Sequence, residues 1–137
     1  QITEILYNDA NRELNIDELY KQFANEAGYH LLTETKHMFE EGMKMNHCVA
    51  TYVAKVESGC CAIYHIEDYT LELNIGWFNN KRILQMGQFS GYSNKPVPKE
   101  IKEEVQEKIN KFNVNILGSD NNINNIKVKI IGEEVLF

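Results

Sequence analysis

An α+β fold, an antiparallel β-meander with several helices packed on one face, is predicted by three features of the sequence. Apolar residues recur at helical spacing at Val49, Tyr52, Val53 and Val56, and again at Ile101, Val105, Ile109 and Phe112. Between these stretches, Tyr69, Leu71, Leu73, Ile75 and Trp77 alternate with Thr70, Glu72 and Asn74, the period of a half-buried strand. Asn79-Asn80 then offers a tight turn, since asparagine tolerates positive φ, and leads into a further strand from Lys81 to about Gln88.

The remaining elements follow from local signals. Asn15 and Glu18 form a capping-box-like pair, Leu19, Phe23 and Ala27 share one helical face behind it, and Gly28 ends that helix. After the short apolar run Tyr29–Leu32, residues Glu34 to Glu41 predict a brief second helix that buries Met38 and Phe39 and stops at Gly42. Asn46 is suited to cap a third helix that Gly59 closes. Cys60 to Ile66 reads as the first strand of the meander, with Glu67-Asp68 as its turn. Pro98 suits the first position of a fourth helix. Asn113 to Asn125, crowded with Asn, Asp, Ser and Gly, reads as an irregular connection, and edge strands are expected over Ile126–Ile131 and Glu134–Phe137.

Composition narrows the class of protein. At 137 residues and 43% apolar content, the chain can build one core and needs no second domain. It begins at Gln1 rather than an initiator Met, so residues 1–137 are expected to be one domain excised from a longer chain. Fourteen basic against twenty acidic residues, with no basic run, argue against an extensive nucleic-acid face. Three cysteines, two of them adjacent, make a disulfide framework an unsuitable reading and favour a reducing, cytoplasmic compartment. No apolar stretch approaches the length of a membrane span.

Four short motifs occur in order: Glu41-Gly42-Met43; Met45-Asn46-His47-Cys48-Val49 followed by Tyr52, Val56 and Gly59; Thr70-Leu71-Glu72; and Gln88, Gly91 and Asn94. On these pieces, segment 41–94 resembles the core of the PcfJ-like family. The resemblance implies a context, a protein of a mobile element such as a plasmid, conjugative transposon or phage. It implies no particular reaction and no cofactor. Where it leads one to expect a basic residue before Gly91, this chain carries Ser90, which argues against anion binding there.

The same motifs hold the residues able to carry chemistry. His47 and Cys48 fall at the predicted start of the third helix, where free N–H groups favour a neutral imidazole and a more acidic thiol. The plainer expectation for Cys48 is a small buried apolar group. Glu72 lies between two leucines on a strand, and needs a partner only if its face is covered. His65, on the same face as Thr70 and Glu72, could be that partner. A plain turn at Asn79-Asn80 puts Gln85 and Gly87 opposite Glu72, whereas a bulge at Gly87 would bring Gln88 across. Gln88, Gly91 and Asn94 would then form a neutral hydrogen-bonding loop, or only the turn before Pro96.

Two functional readings follow. One is a domain that binds a protein partner or a small nucleotide-like ligand, with Cys48, Gln88, Gly91 and Asn94 as binding residues. The other is an enzyme with His47, Tyr52 and Glu72 as catalytic residues in a nucleotide-type transferase or hydrolase site. The order His, Tyr, Glu is similar to the trio of NAD-using ADP-ribosyltransferases, although those enzymes carry the His and Tyr on strands. No metal is expected, because His37, His47, Cys48, Cys60, Cys61 and His65 fit no zinc spacing.

Overall fold

The computed structural model describes residues 11–118 and residue 137. Helix α1 (Glu18–Ala27) is capped by Asp17, whose carboxylate accepts the Leu19 N–H at 2.9 Å, and not by the expected Asn15. It ends at Gly28, whose φ of 73° a side chain would resist. The run behind it supplies a short strand, β1 (His30–Leu31), absent from the expected meander. Three longer strands follow later in the chain: β2 (Ala62–Ile66), β3 (Tyr69–Phe78) and β4 (Lys81–Ser90). All four pair antiparallel in the order β1-β2-β3-β4.

Helix α2 (Thr35–Met45) runs straight through Gly42, which was expected to stop it. A β-carbon on Gly42 would lie 3.1 Å from the His47 carbonyl oxygen, so glycine here lets the returning chain press against the helix. The helix stops instead at Asn46, in the left-handed region at φ 53°, while the His47 N–H reaches back to the Gly42 carbonyl at 3.0 Å. Asparagine suits either end of a helix, which is why Asn46 read as an N-cap. The predicted third helix is therefore a 3-10 turn (Val49–Tyr52) and a five-residue helix, α3 (Val53–Glu57). Val49, Tyr52 and Val56 are buried along it, so the apolar stripe survives the change of winding.

The expected stacking of helices on one face of the sheet is made by α1 and α4 (Lys99–Leu117). The Tyr64 hydroxyl on β2 donates to the Tyr20 carbonyl at 2.9 Å, and Phe23 meets both the Tyr64 and Phe112 rings edge-on. Neighbouring residues on a strand point to opposite faces. His65, next to Tyr64, accordingly bonds Glu41 on α2, which with the 3-10 turn covers the other face. That face was expected to be simply polar; Thr70 on it is fully buried. Trp77, expected in the core, is 69% exposed near the tip of the β3–β4 hairpin.

Helix α4 continues to Leu117, through residues expected to form an irregular connection. The reason is tertiary. Asn113, wholly buried, donates from Nδ2 to the Leu84 carbonyl at 2.8 Å and accepts the Leu84 N–H at 2.9 Å, so its amide pairs with β4 on the side that has no neighbouring strand among the described residues. The expected edge strand over Ile126–Ile131 lies outside the described residues, as does all of Glu134–Phe137 but Phe137.

Candidate functional site

The polar residues of the motifs meet between the sheet and the layer formed by α2 and the 3-10 turn. The first group is a chain of hydrogen bonds. His65 Nδ1 lies 2.7 Å from Glu41 Oε2, the Thr70 hydroxyl donates to the same oxygen at 2.5 Å, and His47 Nε2 lies 2.9 Å from Thr70 Oγ1. Thr70 has one hydroxyl hydrogen and gives it to Glu41, so His47 must donate from Nε2. Nδ1 is then the acceptor, and the Val49 N–H points to it at 3.3 Å. Both nitrogens of His47 are thus engaged within the protein. Burial holds the His47 pKa below the ordinary histidine value, against the opposing pull of Glu41.

The second group depends on the backbone. Leu71 pairs with Phe89 and Leu73 with Met86, so Gly87 and Gln88 together oppose Glu72, and the bulge needed to bring Gln88 onto this face is present. The Gln88 N–H donates to Glu72 Oε1 at 3.1 Å, and Gln88 Nε2 donates to the Tyr52 hydroxyl oxygen at 2.5 Å. Glu72 is half-buried and also receives the Cys61 thiol; desolvation, then this neighbouring carboxylate, push that thiol up to about 12 and leave it unreactive. Gln88 is 6% exposed, yet its Oε1 has no hydrogen-bond partner among the described residues. An unpaired buried acceptor is uncommon in a folded protein.

Phe137 joins the two groups. It is buried, its ring centroid is 5.1 Å from that of His47 and 5.5 Å from that of Tyr52, and Asn94 Nδ2 donates to its main-chain oxygen at 2.5 Å. Asn94 is itself held by the Ser90 hydroxyl, which donates to its Oδ1 at 3.1 Å. Lys55 Nζ stands 4.5 Å from the Tyr52 ring centroid.

His47, Tyr52, Glu72, Gln88 and Asn94 are thus brought together. Gly91 contributes through its main chain, which bonds Lys95 and Asn94 in the turn. Cys48 is exposed, contrary to the expectation of a buried apolar group, because the 3-10 winding that starts after it sends its side chain outward. The α-helix that follows has only five residues, so the expected helix-end field at His47 and Cys48 has little to sustain it. His65 is joined to Glu41 rather than to Glu72. Among the described residues, no group of His, Cys, Asp or Glu converges to hold a metal ion. A cleft of about 390 Å³ is bordered by Tyr29, His30, Glu67, Ile101, Glu104 and Lys108, and of the residues discussed for the site only His65 lines it.

Glu41 escaped the sequence reading as a source of chemistry. Its signal was present: it occupies the buried helical stripe of Met38, Gly42 and Met45, where a carboxylate requires a partner. Phe137 had no signal, since nothing local ties it to His47.

A model of the PcfJ-like protein family matches residues 7–108, most of the chain and well beyond the 41–94 segment that carries the motifs. The chain belongs to the PcfJ-like family. No curated protein and no solved structure matches it.

Proposed function

We propose that this chain is the PcfJ-like domain of a cytoplasmic protein carried by a mobile element, a plasmid, conjugative transposon or phage, and that it works by binding a ligand or a protein partner. The mobile-element context rests on the family resemblance. Binding rests on one observation: the candidate residues surround an aromatic side chain and hydrogen-bond its main chain, as a recognition site does. The state of His47 adds to it. A general base needs a free nitrogen within reach of the proton it removes, and both His47 nitrogens have partners. The net charge of −6 supports a partner other than nucleic acid.

The enzyme reading, with His47, Tyr52 and Glu72 as catalytic residues, draws on the proximity of Tyr52 and Glu72 through Gln88. The two readings separate in one experiment on isotope-labelled protein. AMP, NAD and an acyl ester are added in turn, and both the side-chain amide signals of Asn94 and Gln88 and product formation are followed. Saturable shifts without turnover are expected if a compound of this kind is the ligand. Turnover abolished by Glu72→Gln would overturn the binding reading.

A further inference from the structure

We infer that the space between His47, Tyr52 and Asn94 is a docking slot for an aromatic residue of a polypeptide, which Phe137 closes in cis and a partner's aromatic side chain enters by displacing it. This rests on the binding reading above and names its ligand. The occupant itself defines the chemistry. Phe137 presents a flat ring to two other rings and a main-chain oxygen to the Asn94 amide, so the slot reads a side chain and the backbone beside it.

Three features set this arrangement apart from ordinary core packing. The walls carry polar atoms, those of an imidazole, a phenol and a carboxamide, although Tyr52 and Phe137 also belong to the main apolar cluster. Each wall is fixed in advance by a second bond, His47 by Thr70, Tyr52 by Gln88 and Asn94 by Ser90, as a preorganised recognition site requires. Finally, the amide that holds Tyr52 has a buried oxygen without a partner among the described residues. Were that amide turned over, its nitrogen would be the orphan instead. Either way one polar atom of Gln88 is without a partner among the described residues, and a peptide with its own N–H and C=O groups can supply one.

The test uses the whole chain, as wild type and as Phe137→Ala, with N-acetyl-phenylalaninamide as probe and N-acetyl-alaninamide as control. The Asn94 and Gln88 side-chain amide signals report binding. Phe137→Ala is expected to remain folded and to take up the phenylalanine probe saturably with Kd on the order of 1 mM. Wild type should require at least about tenfold more, since the resident ring must first leave. The alanine control should bind neither, and Asn94→Ala in the Phe137→Ala chain should weaken binding severalfold. Unfolding of Phe137→Ala would show that the ring is core and overturn the inference, as would equal uptake of the two probes or equal affinity in wild type and variant. A response of the same amides to a nucleotide but not to the phenylalanine probe would overturn this inference while leaving the binding reading standing.

Discussion

An oxygen of the Glu72 carboxylate lies where a substituent on Gly87 would have to go: a β-carbon built on Gly87 falls 2.5 Å from Glu72 Oε1 and 3.2 Å from Asn74 Nδ2. The bulge that turns Gln88 toward Tyr52 therefore depends on having no side chain at residue 87. Gly87→Ala must push the carboxylate off the Gln88 N–H, and is expected to cost roughly 1–3 kcal/mol in urea unfolding. Glu72→Ala removes the obstacle, so the double variant should lose less than the sum of the two single losses by about 0.5–3 kcal/mol. Additive losses would show that the two residues do not meet.

Glu41 binds Thr70 and His65 from a helix whose other buried residues are Thr35, Met38, Gly42 and Met45. Glu41→Ala strands the buried Thr70 hydroxyl and is expected to destabilise the domain by roughly 1–3 kcal/mol. Glu41→Gln keeps an acceptor for Thr70 and should lose less. The comparison of the two by chemical denaturation separates the hydrogen bond from the packing. Equal losses would assign the whole effect to shape.

Among the described residues, Asn113 closes the edge of β4 with its side chain. Asn113→Ala leaves the Leu84 N–H and carbonyl without partners, with an expected loss of about 1–3 kcal/mol. It also uncovers a strand edge, so self-association measured by light scattering should rise with concentration. A variant that is equally stable and monomeric would contradict this role.

The pH dependence of stability follows from His47. Its folded pKa lies below the 6.5 of the free side chain, because burial disfavours the imidazolium. The unfolded chain then binds more protons between the two values, so the contribution is complete above 6.5 and is lost as pH falls through the folded value. Protonation at Nδ1 would also turn that nitrogen from acceptor to donor against the Val49 N–H. Thermal unfolding of wild type should therefore shift to lower temperature as pH drops from 6.5 to that value, with a shallower shift in His47→Gln. Glu41 and His65, which belong to the same chain of bonds, remain in both proteins. Parallel pH profiles would remove His47 as the cause.

The helical stripes and the alternating strands were legible in the sequence because they record burial, which depends on local spacing. Val49, Tyr52 and Val56 are buried even though they wind partly as a 3-10 turn, and Val105, Ile109 and Phe112 line α4 as their spacing predicts. The sequence left a plain turn and a bulge at Gly87 both open, and the pairing of β3 with β4 selects the bulge. Asn46 misled because asparagine tolerates the left-handed conformation of a helix end as readily as it caps a helix start.

Local pattern was thus enough to determine the α+β class, the meander and its tight turns, while the motif residues were singled out by the family resemblance. Where those residues make their bonds was decided only by the tertiary structure. Glu41 faces Thr70 because Gly42 lets the chain fold back on α2, Asn113 is buried where its amide pairs with β4, and Phe137 reaches His47 and Tyr52 from far along the chain. Each contact joins residues distant in sequence, and periodicity, which reports only which face of an element is buried, carries no record of what lies against that face.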